Sequence, residues 1–144
     1  MSKAESLSPF HLAFPVTDIA ETRSFYTQVL GCTIGRESER WIDFNFYGHQ
    51  ISAHLAPEAC HNALTNPVDE KNVPVRHFGV VLPWDEWGIL AKRLQELDVD
   101  FLIEPYLRFK GEVGEQATLF LLDPSKNGLE FKAFKDQKSL FATD

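Results

Sequence analysis

The chain repeats itself, and this internal repeat constrains the fold more than any other feature of the sequence. Residues 10–14 read FHLAF and residues 76–80 read RHFGV, so a histidine stands second in each copy. Each copy is followed by an amphipathic helix pattern and then by segments patterned as strands. The repeat therefore predicts two strand–helix–strand–strand–strand (βαβββ) modules and an α+β fold.

Start and stop signals bound the helix of each module. Asp18, with Glu21 three residues later, is typical of a capping box, and Gly31 is a natural stop for the first helix. Asp85 is expected to cap the second helix, in which apolar residues recur at helical spacing. The apolar stripes of both helices predict core packing and no chemistry.

Strand and turn patterns divide one domain into a module at 8–58, a linker at 59–74, a second module at 75–135 and a tail at 136–144. The later strands are predicted at 33–36, 41–47 and 50–55 in the first module, with a turn at Gly48-His49, and at 101–103, 117–122 and 128–134 in the second. Proline and asparagine disfavour regular structure in the linker, and residues 104–115 are expected to be an irregular loop over a site.

Charge and composition limit the classes of partner. The net charge of -7 and the lack of a Lys/Arg cluster disfavour a nucleic-acid partner. No apolar run approaches the roughly 18 residues of a membrane span, and the first residues do not resemble a secretory signal. We therefore expect a cytoplasmic protein that binds neither nucleic acid nor membrane. Cys32 and Cys60 are expected to be free thiols, with Cys32 in the core.

Strand side chains alternate between the two faces of a sheet, so parity sorts the polar residues. In each predicted strand the apolar set is expected to meet the helix. Ala13 and Gly79, each two residues after a repeat histidine, have minimal side chains that leave space for a ligand. Four ligand-type residues fall on the face turned away from the helices: His11, His54, His77 and Glu130.

Two neutral imidazoles and a carboxylate suit Fe(II), Mn(II), Zn(II) or Ni(II), with open positions for water, substrate or dioxygen. Asp43, Asn45, Gln50 and Ser52 share the same face and are candidates for binding substrate hydroxyls. They are equally well explained as ordinary polar residues of a sheet surface. Substrate identity and the choice of metal stay open at this point.

The chain resembles the vicinal oxygen chelate superfamily, which includes glyoxalase I, bleomycin resistance proteins and extradiol ring-cleaving dioxygenases. The resemblance covers nearly the whole chain and rests on residues 11–18 (HLAFPVTD), residues 25–31 (FYTQVLG), His77, and Asp123-Pro124 leading to residues 127–131 (NGLEF). Residues 41–55 and 104–118 are most similar to a bacterial group of predicted extradiol-type dioxygenases. The resemblance implies that the two modules form an incomplete β-barrel around a metal site and that the protein is a homodimer.

By this resemblance, His11, His77 and Glu130 are the metal ligands and Fe(II) is the favoured ion. His54 is either an acid–base residue, as in extradiol dioxygenases, or a fourth ligand, as on the corresponding strand of glyoxalase I. Thr118 and Phe120 stand where extradiol enzymes usually supply a tyrosine, so Tyr106 is a candidate catalytic substitute and Arg108 a candidate substrate-binding residue.

The candidate residues and the family resemblance together imply three alternative functions. The leading hypothesis is a metal-dependent extradiol-type dioxygenase acting on a catechol-like small molecule. The second is a glyoxalase-like isomerase or lyase that uses the metal as a Lewis acid, and it requires His54 on the metal. The third is a non-catalytic small-molecule-binding protein of the antibiotic-resistance type.

Overall fold

A computed structural model describes residues 7–60, 65–68 and 71–143 of the chain. The chain divides into two compact units, Met1–Cys60 and His61–Asp144. The first unit contains β1 (His11–Val16), α1 (Ile19–Ser24), β2 (Thr33–Glu37), β3 (Trp41–Phe46) and β4 (His49–Leu55). The second contains β5 (Thr65–Val68), β6 (Lys71–Pro74), β7 (His77–Phe78), α2 (Trp84–Glu96), β8 (Phe101–Arg108), β9 (Gln116–Leu122) and β10 (Gly128–Phe134).

The sheet of the first unit has the strand order β1-β4-β3-β2, with β1 parallel to β4 and the other neighbours antiparallel. Asp18 caps α1 by accepting a hydrogen bond from the backbone N–H of Glu21 at 2.8 Å, which confirms the predicted start of the helix. A π-helical turn at Phe25–Val29 continues α1, and Gly31 follows with a φ of 76°. The positive φ is the reason that glycine ends this helix.

Alternation along the strands builds the core of the first unit. Phe14 and Val16 of β1 are buried, and Tyr26 stacks on Phe44 with ring centroids 5.0 Å apart. His11 and Ala13, at the alternate positions of β1, are exposed. The predicted parity of β1 is therefore confirmed.

The sheet of the second unit repeats this topology in the order β7-β10-β9-β8, again with the first strand parallel to the last. Leu129, Phe131 and Ala133 of β10 are fully buried, whereas Glu130 is only partly so. Trp87 of α2 donates a buried hydrogen bond of 2.8 Å from Nε1 to the carbonyl oxygen of Phe131. The predicted α+β class with two βαβββ modules is confirmed.

Two segments expected to be irregular contain strands. β5 and β6 form a hairpin within 59–74, and its two prolines are tolerated because each strand of a two-stranded sheet is an edge strand. β8 extends to Arg108, so residues 104–108 are not part of a loop. Pro105 fits in β8 because this strand lies at the sheet edge and its pairing with β9 shifts register on either side of Ile103.

Two turn signals also differ from the prediction. The N-cap of α2 is Pro83 rather than Asp85, because the fixed φ of proline suits the entry to a helix and Asp85 lies inside the first turn. The β3–β4 turn is formed by Tyr47 and Gly48, both with positive φ, while His49 already belongs to β4.

No helix in the described part of the chain is long and apolar enough to cross a membrane.

Candidate functional site

His77 and Glu130 lie side by side in the sheet of the second unit. His77 pairs with Gly128 in the parallel register of β7 and β10, which places Glu130 two residues further along on the same face. His77 Nε2 is 3.3 Å from Glu130 Oε1. The two side chains are 30% and 21% exposed, so the pair is accessible to a small ligand yet partly shielded from water.

Hydrogen bonds fix how the two groups face each other. His77 Nδ1 lies 2.8 Å from the carbonyl oxygen of Pro74, and because a carbonyl oxygen only accepts, Nδ1 carries the hydrogen. A neutral His77 therefore presents the lone pair of Nε2 to Glu130. The other carboxylate oxygen, Oε2, accepts a hydrogen bond of 2.7 Å from the Thr118 hydroxyl.

This arrangement fits a divalent cation. A nitrogen lone pair and a carboxylate oxygen repel each other at 3.3 Å unless a proton or a cation lies between them. Metal-bound histidines characteristically donate their second ring N–H to a carbonyl or carboxylate, as His77 donates to Pro74. The donor set and its outer hydrogen bonds therefore suit a metal that prefers nitrogen and oxygen ligands.

Glycines allow the strands to approach closely around the pair. A Cβ added at Gly79 would collide with the carbonyl oxygen of Glu130. The expectation that Gly79 leaves space for a ligand is therefore wrong, since the β10 backbone fills that space. A Cβ at Gly128 would lie 3.1 Å from the Cβ of His77 and 3.0 Å from the Phe120 ring.

In the first unit, His11 lies at the matching position of β1 and is held by side chains. Its Nδ1 is 2.8 Å from the amide oxygen of Gln50, its cross-strand partner. Gln50 Nε2 donates to Asp43 Oδ2 at 3.4 Å, and the Ser52 hydroxyl donates to Asp43 Oδ1 at 2.5 Å. His11 thus stands at the end of a chain of four hydrogen-bonded side chains.

His54 lies on the same sheet face, further along β4. It pairs with Pro15 and Trp41 and is exposed. Gln50 is the cross-strand partner of His11, and His54 lies four positions further along β4. This offset corresponds to about 13 Å along the strand. His11 and His54 therefore lie at opposite ends of this face.

The predicted substrate-binding residues of the first unit are already engaged within it. Asn45 accepts a hydrogen bond of 2.7 Å from the N–H of Gly48 and so supports the β3–β4 turn. Ser52 is buried and bonds to the partly buried Asp43. A cavity of about 290 Å³ opens beside this network, and its lining combines Pro9 and Phe44 with the polar residues Arg36, Asp43, Asn45, His49 and Gln50.

Tyr106 and Arg108 lie in β8 rather than in a loop. Tyr106 pairs with Thr118 and packs against an apolar cluster of Val73, Ile103 and Phe120. The guanidinium of Arg108 lies 5.2 Å from the centroid of the Phe109 ring.

Two residues that were not predicted as ligands hold predicted ligands in place. Gln50 orients His11, and Thr118 orients Glu130. The sequence placed Gln50 on the correct face as a possible substrate-binding residue, and the pairing register of β1 with β4 is the signal that would have identified it as the partner of His11. In the described part of the chain, no group of three or more His, Cys, Asp or Glu side chains is placed to hold a metal. His77 and Glu130 are in contact as a pair.

Comparison with known proteins gives the family. The family model of the Glyoxalase/Bleomycin resistance protein/Dioxygenase superfamily matches residues 8–131. A search of curated proteins gave no match.

Solved structures agree with the family model. A glyoxalase/bleomycin resistance protein/dioxygenase from Alicyclobacillus acidocaldarius is 32% identical, with a TM-score of 0.76 over 93% of this chain and 96% of that one. The fosfomycin resistance protein FosX from Listeria monocytogenes is 17% identical, with a TM-score of 0.65 over 96% and 100%. A lactoylglutathione lyase from Agrobacterium tumefaciens is 15% identical, with a TM-score of 0.63 over 97% and 99%. The chain therefore belongs to the glyoxalase/bleomycin resistance protein/dioxygenase superfamily, also known as the vicinal oxygen chelate superfamily.

Proposed function

We propose that this protein is a metal-dependent enzyme of the extradiol-dioxygenase type that acts on a catechol-like small molecule. The observation that carries the proposal is the pair of His77 and Glu130, in which Nε2 faces Oε1 at 3.3 Å and both side chains are held by further hydrogen bonds. His11 joins them as the third ligand, as the family resemblance implies. Its Nδ1 is bonded to an oxygen acceptor, as is that of His77.

The ligand set favours Fe(II), with Mn(II), Zn(II) or Ni(II) as alternatives. Two histidines and one carboxylate leave coordination positions open, the arrangement typical of non-haem Fe(II) oxygenases. A bound Fe(II) would supply two binding positions for a diol and a site for dioxygen activation.

The register of the first sheet supports three protein ligands rather than four. Position 52 of β4 corresponds to Glu130 of β10, because Ser52 lies two residues beyond the partner of His11 and Glu130 two residues beyond the partner of His77. Serine occupies this position, and its hydroxyl donates to Asp43. A fourth ligand of the glyoxalase type therefore has no carboxylate at the equivalent position.

The position of His54 supports an acid–base role. A histidine reaches a metal about 6–7 Å from its own Cα. His11 and His54 are separated by about 14 Å when the strand spacing is added to the offset along β4, which lies at or beyond the limit for two ligands of one ion. His54 is then expected to take a proton from a substrate hydroxyl and return it to a ring-cleavage intermediate.

The remaining residues are assigned to the substrate. Arg108 is proposed to bind polar groups of the substrate, and Tyr106 to assist catalysis from β8. Asp43, Asn45 and Ser52 are proposed to act mainly by shaping this surface, since each already has a hydrogen-bond partner. We further propose a homodimer with a small-molecule substrate and no nucleic-acid or membrane partner, to be tested by light scattering after gel filtration.

The test is metal content and oxygen uptake on the same sample. Anaerobically purified protein reconstituted with Fe(II) is offered a panel of catechols, and the Glu130→Gln variant is compared with Lys132→Gln, which lies on the same strand and face. Oxygen uptake with the wild type and with Lys132→Gln, lost together with the metal in Glu130→Gln, supports the proposal. Stoichiometric metal without oxygen uptake would favour the isomerase or lyase hypothesis, and absence of metal after metal-replete growth would favour a binding protein.

A further inference from the structure

We infer that Gln50 is a positioning residue, which keeps the hydrogen of the His11 ring on Nδ1 and its lone pair on Nε2. The inference rests on the proposed function, because it concerns the readiness of His11 to bind a metal. The inference gives a function to a residue that does not itself bind the metal. The element responsible is the row of side chains His11, Gln50, Asp43 and Ser52, which crosses three adjacent strands of the first sheet.

The direction of every hydrogen bond in this row follows from one carboxylate. The ionised carboxylate of Asp43 can only accept, so the Ser52 hydroxyl and the Gln50 amide nitrogen must both donate to it. With its nitrogen turned to Asp43, Gln50 presents its amide oxygen to His11 at 2.8 Å. An amide oxygen also only accepts, so the His11 hydrogen belongs on Nδ1.

The second unit reaches the same ring state by another route. There the carbonyl oxygen of Pro74 accepts from His77 Nδ1, also at 2.8 Å. The two repeat-related histidines therefore carry the hydrogen on the same ring atom, although one is held by the main chain and the other by a side chain. Because different partners hold both histidines in the same ring state, we assign Gln50 the role of orienting the His11 ring.

Burial supports the idea of a built network. Ser52, at the far end of the row, is only 6% exposed, and its bond to Asp43 is the shortest of the three. Asp43 is therefore fixed from the interior, while Gln50 and His11 lie exposed at the open end. Through these hydrogen bonds, the buried Ser52 holds Asp43, Asp43 holds Gln50, and Gln50 holds the exposed ring of His11.

The experiment reads the ring state directly in metal-free protein. Nitrogen-15 NMR of labelled histidines, in mildly alkaline buffer in which imidazole is ordinarily neutral, distinguishes Nδ1–H from Nε2–H. The variants are Gln50→Ala, which removes the acceptor, and Gln50→Glu, which keeps an acceptor for His11 but removes the donor to Asp43 and places a second carboxylate beside it. Thr33→Ala, an exposed substitution on β2 at the far edge of the same sheet, is the control.

We expect the wild type, Thr33→Ala and Gln50→Glu to carry the His11 hydrogen on Nδ1, and Gln50→Ala to show a mixture of the two forms. Fe(II) or Zn(II) affinity, measured by competition with a chelator, should fall by about 10- to 100-fold in Gln50→Ala and recover in Gln50→Glu. An unchanged ring state in Gln50→Ala overturns the inference. If the ring state shifts but even the wild type binds no metal, the positioning role of Gln50 stands and the proposed function fails.

Discussion

Ser52 holds, in the sheet of the first unit, the register position that Glu130 holds in the sheet of the second. The repeat has therefore kept the backbone geometry of this position and changed its chemistry. Glu130 faces a histidine, whereas Ser52 turns its hydroxyl to Asp43 on the neighbouring strand. The second sheet therefore has a carboxylate at this position, and the first sheet has a hydroxyl that holds Asp43.

Replacing Ser52 by Ala should lower the stability of the protein without removing a metal ligand. The variant loses a hydrogen bond to a partly buried carboxylate, so the free energy of unfolding should fall by about 1–2 kcal/mol. Metal stoichiometry should stay that of the wild type, because position 52 supplies no ligand. Urea unfolding and metal analysis of the same preparation, saturated with metal, test both expectations, and a loss of stoichiometric binding at saturation with an intact fold would contradict the three-ligand proposal.

Replacing Gly79 by Ala should disrupt the second sheet. The added Cβ would collide with the carbonyl oxygen of Glu130, which is main chain and cannot rotate away. We expect a loss of about 3 kcal/mol or more in unfolding free energy, measured by urea denaturation.

The matched control for that change is Gly88→Ala in α2. Nothing lies within 4 Å of a Cβ built at Gly88, and alanine is the better helix former. This control should gain about 0.5–1 kcal/mol. Equal stability of the two variants would show that β10 yields to the added methyl group.

Replacing Thr118 by Val should weaken metal binding without unfolding the protein. Valine keeps the shape of threonine in the buried strand β9 but removes the hydroxyl that donates to Glu130 Oε2. An outer hydrogen bond of this kind is worth about 10- to 100-fold in metal affinity. Chelator competition measures the affinity, and Thr33→Val on the exposed strand β2 should leave it unchanged.

The two cysteines should differ in reactivity. Burial raises the pKa of the Cys32 thiol from 9.0 to about 11, while Cys60 is only partly buried. Iodoacetamide near neutral pH should therefore label Cys60 first, and Cys32 only after denaturant is added. Mass spectrometry of digested protein assigns the label, and rapid labelling of Cys32 in the native protein would contradict the prediction.

The same shift predicts a loss of stability in alkali. Because the pKa of Cys32 is higher in the folded than in the unfolded state, its contribution is fully present below pH 9 and is lost as the pH rises towards 11. The slope is at most about 1.4 kcal/mol per pH unit. A Cys32→Ala variant should show a shallower decline in urea-unfolding free energy over this window, and an equal decline would exclude Cys32 as the cause.

The repeat and the side-chain parity were sufficient to predict both modules and the shared face of His77 and Glu130. The alternation of strand side chains between the two sheet faces is a local property of the sequence, so it can be predicted without the three-dimensional structure. The β5–β6 hairpin and the extension of β8 were missed because prolines in strands are tolerated only at edges and bulges, and edges are known only once the strand order is known.

The outer hydrogen bonds of the site were not predictable in the same way. The acceptor for His77 is the main-chain oxygen of Pro74, and every residue type offers such an oxygen. Gln50 was visible as a polar residue on the right face, but its partnership with His11 depends on the register between strands 39 residues apart. The parity of a residue within its strand gives the sheet face on which it lies, whereas the register between strands gives the residue beside it.

The contrast between Pro74 and Gln50 has a consequence for how the orientation of each repeat histidine can change. His77 is oriented by the path of the backbone, which no single side-chain substitution removes. His11 is oriented by an amide that one codon change replaces. A single substitution, by selection or by design, can therefore alter the orientation of His11, whereas the main chain keeps the orientation of His77.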